Sequence, residues 1–279
     1  MTDAPRSDAA VAHDYHVHSN YSDGTAMPRM VRAAADAGLD AVGFADHCNV
    51  SERDRMIRAK YEYGMTLDRT YPLRREGIES LRERYDLEIY DAVELDYAPD
   101  DEAEIRAFLA DSGFDYAIGS VHRVEGENVQ SHSTFADRSE SERRRIVDDY
   151  YDALADLVES ELFEIAAHAD LIERTPDLRG YTTSDHYELI ADAFSRSRTV
   201  PELNAGRALG DYGAFHPASD FREALADRGV EFVAGSDSHA PDELRDRIPA
   251  IEEAFDSWGL DPAKLASVEK SARLSPAEE

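Results

Sequence analysis

Seven short apolar runs of strand length, each ending in a loop, recur along the chain. They lie in HDYHVHSNYSDG, AVGFADH, IYDAVELDY, FDYAIGSVH, LFEIAAHAD, VPELNAG and VEFVAGSDSH. Six of the seven end in at least one metal-capable side chain: His16 and His18 with Asp23, then His47, Glu94, His122, His168, and finally Asp237 with His239. Parallel strands in a barrel or open sheet gather their carboxyl ends at one face, so side chains far apart in sequence can converge on one site. The pattern therefore predicts an α/β fold whose strand ends build a polynuclear metal site.

Amphipathic helix patterns fill the intervals. One starts at Pro28 and stops near Gly38, with proline in a first turn and glycine at a C-terminal stop. Others are predicted over 100–111, 139–160, 185–197, 218–228 and 242–257, the last with a kink or break at Pro249. The order is β-α repeated about seven times without a Pro/Gly/Ser-rich linker, which predicts a single barrel-like domain over 12–272. Residues 1–11 and 273–279 are read as disordered tails. The segment 49–85 is longer than most βα connections and holds Tyr61, Tyr63, Tyr71, Arg69, Arg74 and Arg75. It fits a lid over the ligand-bearing face or a helix packed outside the barrel.

The formal charge of −30, from 30 basic and 60 acidic residues, argues against a broad nucleic-acid surface, which needs clustered cations. The basic group Arg143, Arg144 and Arg145 sits among acids on a solvated helix face. Lysine occurs only at 60, 264 and 270; an acidic coat this poor in lysine suits concentrated salt, or an ordinary acidic enzyme from a GC-rich genome. Cys48 is the single cysteine, so no intrachain disulfide forms. No membrane-length apolar stretch and no signal-type h-region occurs, and the expected location is the cytoplasm.

His16 and His18, at i and i+2 on a strand, share a face and suit one ion. Glu94 offers two oxygens and can bridge ions, and Asp237 with His239 repeats the i, i+2 spacing. An isolated histidine in such a place is more often structural, and Asp23-Gly24 alone would read as a turn. Nine such residues, nearly all at strand ends, are hard to assemble by chance. His13, His132, His186 and His216 stand off the strand ends and are read as structural or surface residues, with His132 within reach of the pocket mouth.

These stretches, HVHSNYSDG, FADH, VELDY, GSVH, AAHADL, ELNAG and GSDSH in that order, resemble the polymerase-and-histidinol-phosphatase (PHP) superfamily, and within it the histidinol-phosphatase branch. The resemblance covers His13 to Ala240 and implies a distorted seven-stranded barrel, (β/α)7, with three divalent ions of zinc, manganese or iron. It assigns His16, His18, Glu94 and Asp237 to the first ion, Glu94, His122 and His168 to the second, and Asp23, His47 and His239 to the third. Some histidinol-phosphatases carry a histidine near the Asp23 position, where this chain has S-D-G.

The implied reaction is hydrolysis of a small phosphate ester, L-histidinol phosphate, by a hydroxide bridging two ions about 3.5–4 Å apart. Asp237, His239 and Arg207 are the candidate catalytic residues, with Arg207 as a bidentate phosphate clamp and Arg123 as a second candidate. Asn204 is placed to position substrate or a loop, and Asp96 and Tyr97 to meet the substrate's cationic end. The competing readings are a phosphoesterase for nucleotides or oligonucleotide ends and a non-catalytic metal-binding module. The amidohydrolase pattern with a bridging carboxylated lysine fails, because no lysine lies between Lys60 and Lys264. A serine-nucleophile scheme lacks its G-x-S-x-G elbow.

Overall fold

The computed structural model describes residues 11–265. In chain order the elements are β1 (His13–Val17), α1 (Met27–Asp36), β2 (Ala41–Cys48), α2 (Asp54–Tyr63), α3 (Leu67–Arg82), β3 (Glu88–Asp96), α4 (Glu102–Ser112) and β4 (Tyr116–Ser120). A small hairpin of β5 (Arg123–Val124) and β6 (Glu127–Asn128) follows, then α5 (His132–Phe135), α6 (Glu140–Glu159) and β7 (Ile165–Ala166). Among the described residues there follow α7 (Ser184–Arg196), β8 (Val200–Asn204), α8 (Ser219–Ala226), β9 (Val233–Gly235) and α9 (Pro241–Trp258).

Seven strands pair in parallel in the order β1-β2-β3-β4-β7-β8-β9. The two edges then meet: His18 N–H donates to Ser238 O at 2.9 Å and Asp237 N–H to His16 O at 2.7 Å. The sheet thus closes into a distorted seven-stranded barrel with helices outside, as the repeated β-α order predicts.

Period-two alternation carries the chemistry to one end of this barrel. Ala41 and Ala45 of β2 belong to the inner apolar cluster and share their strand face with His47. The same parity joins Tyr90 and Ala92 to Glu94 and Asp96 on β3, and Tyr116 and Ile118 to Ser120 and His122 at β4. Tyr15, Tyr90 and Tyr116 floor the barrel, with Tyr15 stacked on Tyr90 at 6.0 Å. Residues of the other parity, such as Val42, Phe44, Ile89 and Val93, pack outward in the cluster that includes Met30, Val31 and Ile78 of α1 and α3. In β1 the register slips between Asp14 and Val17, a bulge that lets Tyr15 and His16 both face inward.

The segment 49–85 divides between the two expected forms. Helix α3 is the outer crossover: its Arg74 is fully buried and pairs with Asp46 at 2.8 Å and Asp91 at 2.6 Å on β2 and β3. Helix α2 follows the β2 carboxyl end and is tied to the β5-β6 hairpin by Arg55–Glu127 at 2.8 Å. Helix α9 runs unbroken through Pro249, so the break allowed from sequence does not occur there; buried Leu244 and Ile248 before the proline and Ile251 and Phe255 after it keep both halves on the core. Val11, assigned to the N-terminal tail from sequence, is 1% exposed and belongs to the core. The rest of both expected tails lies outside the described residues. Among the described residues no helix is long and apolar enough to cross a membrane.

Candidate metal centre

The structure brings all nine predicted side chains to the carboxyl end of the barrel. Glu94 is at their centre, 1% exposed. Its Oε2 has His47 Nδ1 at 2.6 Å, His16 Nε2 at 3.4 Å and His18 Nε2 at 3.6 Å. Its Oε1 has His168 Nε2 at 3.2 Å and His122 Nε2 at 3.5 Å. On the other side of His18, its Nε2 is 3.4 Å from Asp237 Oδ1 and its Nδ1 3.7 Å from Asp23 Oδ1. Asp23 also reaches His239 Nε2 at 3.3 Å and His47 Nε2 at 3.7 Å.

Among the described residues, proximity gives three overlapping groups able to hold an ion: His18, Asp23, His47 and His239; His16, His18 and Glu94; and His47, Glu94 and His122. His18 and His47 each stand in two of them, so this sharing is broader than the resemblance implies.

Several ligand-type residues owe their position to local irregularity. His168 and Asp237 follow the short strands β7 and β9 with positive φ, 30° and 53°. Strand alternation therefore does not explain the shared direction of Asp237 and His239, as their i, i+2 spacing suggests. The left-handed turn at Asp237 does, and His239 Nδ1–H donates to the Asp237 carbonyl at 3.0 Å. Asp23 lies in a turn bound to the barrel by Asp46, which accepts from Ser19 N–H at 2.7 Å and Ser22 Oγ–H at 2.8 Å. Gly24 has no room for a side chain, since a Cβ there would stand 2.5 Å from the His18 carbonyl.

A second layer of carboxylates fixes the imidazoles. Glu202, fully buried, meets His16 Nδ1 at 2.9 Å and accepts from His168 N–H at 2.9 Å and Asn204 Nδ2 at 2.7 Å. Asp96 meets His122 Nδ1 at 2.6 Å and accepts from Asn49 Nδ2 at 2.9 Å. A carboxylate beside Nδ1 places the proton there and leaves Nε2 as a lone pair, here aimed at Glu94. Asp96, proposed from sequence as a substrate contact, is thus committed to His122.

Electrostatics follow from the crowding. Burial lowers the His18 imidazole to about 4, reinforced by His239 and His47, and burial likewise lowers His168 to about 4. For His47 burial acts downward too, but Glu94 outweighs it and the pKa rises to about 10. Burial opposes ionisation of Glu94, yet His47 and His16 hold it well below the usual carboxylate range. Among the described residues, Glu94 Oε2 has three imidazoles close by and still no aligned hydrogen-bond donor, and buried His168 Nδ1 has no hydrogen-bond partner. A divalent cation taking the place of those imidazole protons would meet ring nitrogens gathered round an ionised carboxylate, a donor set that suits such an ion.

The cleft above these groups, about 240 Å³, is lined by Asp23, His47, His122, His168, Asp237 and His239, with Gly206 and three arginines. Arg207 is there, as the sequence suggests, exposed and without an ion pair among the described residues. Arg123 is not; its side chain lines a separate cleft beside α6. Arg174 and Arg247 are the arginines that sequence reasoning missed. Arg174 Nη2 donates to Asn204 Oδ1 at 3.2 Å and stands 3.7 Å from Asp237 Oδ2, while Arg247 donates to the Asp237 carbonyl at 2.7 Å. His13 and His186 lie away from the cleft, bonded to Tyr15 and Asp148. His216, read as structural or surface, is fully buried behind Arg174. The side chain of His132 is outside what is described.

The PHP domain profile matches residues 14–206. A protein of Deinococcus radiodurans named a probable histidinol-phosphatase is 29% identical over 254 residues, covering 88% of this chain and 94% of the relative. Two crystal structures share the fold at TM-score 0.71 and 19% identity. One, from Listeria monocytogenes and described as a putative histidinol phosphatase, covers 88% of this chain and 99% of its own. The other, histidinol phosphate phosphatase of Lactococcus lactis in complex with zinc, L-histidinol and phosphate, covers 92% and 97%. With the profile spanning more than half the chain and its histidines and acids gathered at one barrel end, this protein belongs to the PHP domain family.

Proposed function

We propose that this PHP-domain enzyme, a metal-dependent phosphatase, hydrolyses L-histidinol phosphate to L-histidinol and phosphate. The observation that carries the reading is Glu94: a buried, ionised carboxylate ringed by imidazole nitrogens, with guanidinium groups across the cleft. Support for the substrate comes from the names of the relatives in Deinococcus radiodurans and Lactococcus lactis.

In this reading His16, His18, Glu94 and Asp237 hold one ion, Glu94, His122 and His168 a second, and Asp23, His47 and His239 a third. Bound divalent ions supply a water acidified to near-neutral pKa and neutralise charge developing on the phosphate. The remaining work belongs to side chains. Arg174 and Arg207 grip phosphate oxygens from the cleft wall, giving the bidentate contacts a carboxylate-rich protein otherwise lacks. Burial lowers the Arg174 pKa and neighbouring Arg207 adds to this, although Asp237 opposes it; an anion between the two guanidiniums relieves that repulsion. Asp237 orients the attacking water through its ionised carboxylate, and Asn204 Nδ2, 3.3 Å from Asp237 Oδ2, sets that carboxylate's rotation. His239 locks the same loop through the Asp237 carbonyl.

The test is phosphate release from L-histidinol phosphate compared with a short panel of mononucleotides and a nucleoside bisphosphate. Preference for histidinol phosphate by at least about a hundredfold in kcat/KM, roughly 2.7 kcal/mol of transition-state binding, is expected. Cleavage of nucleotides alone contradicts the proposal.

A further inference from the structure

Asp170 and His216 are fully buried, one layer behind the cleft, and none of the steps above uses them. Asp170 Oδ1 faces His216 Nδ1 at 2.5 Å, and its second oxygen accepts from Ala218 N–H at 2.8 Å. On the far side of the ring, His216 Nε2 accepts from Arg174 Nε–H at 2.8 Å. The Tyr212 ring lies flat on the imidazole, 4.8 Å away at an angle of 5°. The backbone is equally fixed: Asn204 N–H donates to His216 O at 2.8 Å and His216 N–H to Asn204 O at 3.1 Å.

A guanidinium N–H approaches an imidazole nitrogen only where that nitrogen offers a lone pair. His216 must therefore be neutral with its proton on Nδ1, and the Asp170 carboxylate is what selects that tautomer. Burial, the largest influence on this imidazole, also favours the neutral form. The consequence falls on Arg174. Its Nε edge is held by His216 and its Nη2 by Asn204, so two of the three guanidinium nitrogens are fixed. No hydrogen bond of Arg174 Nη1 is found among the described residues, and the side chain lines the metal cleft.

We propose that Asp170 and His216 are positioning residues for the phosphate group, acting through Arg174: the Asp-His pair aims the guanidinium into the cleft before substrate arrives. The inference rests on Arg174 serving as a phosphate clamp. A preset guanidinium loses less rotamer freedom on binding, so the benefit falls on affinity rather than on the chemical step.

The experiment uses the metal-loaded enzyme, with inorganic phosphate binding followed by calorimetry and p-nitrophenyl phosphate turnover followed in parallel. His216→Phe keeps a ring over Tyr212 but offers no acceptor; it should weaken phosphate binding about tenfold and raise KM more than it lowers kcat, with metal content unchanged. His216→Gln, which can return an oxygen near the Nε2 position, should recover most of that loss. Added to Arg174→Gln, His216→Phe should cost nothing further, since the contact it serves is already gone. Should His216→Phe fail to fold, Asp170→Asn is expected to show a smaller loss of the same kind. Full additivity with Arg174→Gln, or parental phosphate affinity in the substituted protein, overturns the relay. If Arg174→Gln alone binds phosphate as tightly as the parent, the clamp assigned to Arg174 falls, and the relay with it.

Discussion

Glu94 on β3 and Glu202 on β8 show how two buried carboxylates of one barrel divide the work. Glu94 faces five imidazoles with both oxygens, whereas Glu202 stands behind His16 and beneath the His168 backbone. Glu202→Gln should fold and keep the Glu94 cluster, yet lower metal affinity about 10–100-fold, as loss of a partner behind a ligand does. Competition with a chelator of known affinity measures it; unchanged affinity removes Glu202 from the supporting layer. The first set of residues was legible in sequence because each stands at a strand end. Glu202 was legible in principle, being two residues before Asn204 on the same strand face. Arg174 was not: it closes a 3-10 turn, Leu171–Arg174, where no period marks which side chain turns inward.

At the scale of elements, alternation along β2, β3 and β4 was readable, and departures from it were not. The β1 bulge and the positive φ at His168 and Asp237 reset side-chain direction by backbone geometry that composition does not encode. Gly206 belongs with them, because a Cβ there would stand 2.2 Å from Asp237 Oδ2. Gly206→Ala should leave the far-ultraviolet circular dichroism spectrum intact but displace that carboxylate and reduce bound metal. Full metal content would show that the loop gives way instead. Helix α3 is anchored by a buried ion network rather than by apolar packing alone. Arg74→Met leaves Asp46 without its cationic partner in the interior, while Asp91 keeps Arg75 at 2.6 Å, and should cost about 3–5 kcal/mol in denaturant unfolding. A loss below about 1 kcal/mol would mean that the carboxylates find other partners or water. That α3 packs outside while α2 flanks the carboxyl end was not decidable from tyrosines and arginines alone, since either placement accommodates amphipathic cover.

At the scale of the molecule, a charge of −30 surrounds a cleft lined by Arg174, Arg207 and Arg247, for which we propose a phosphate ester as ligand. Self-repulsion over such a coat is screened as the Debye length falls from about 10 Å at 0.1 M salt to about 3 Å at 1 M. The melting temperature should therefore climb as KCl rises from about 0.1 to 1 M, a range chosen to span that change in screening. A flat or falling curve argues for an acidic protein fitted to ordinary ionic strength. Everything proposed for the cleft depends on those nine side chains holding ions together. The direct test is metal analysis and phosphate release from L-histidinol phosphate on one preparation, for the parent, Glu94→Gln and His18→Ala. Metal bound at more than one ion per chain in the parent, with metal and turnover both falling by a large factor in each variant, is the predicted result. Parental metal content and turnover in both variants would contradict the account.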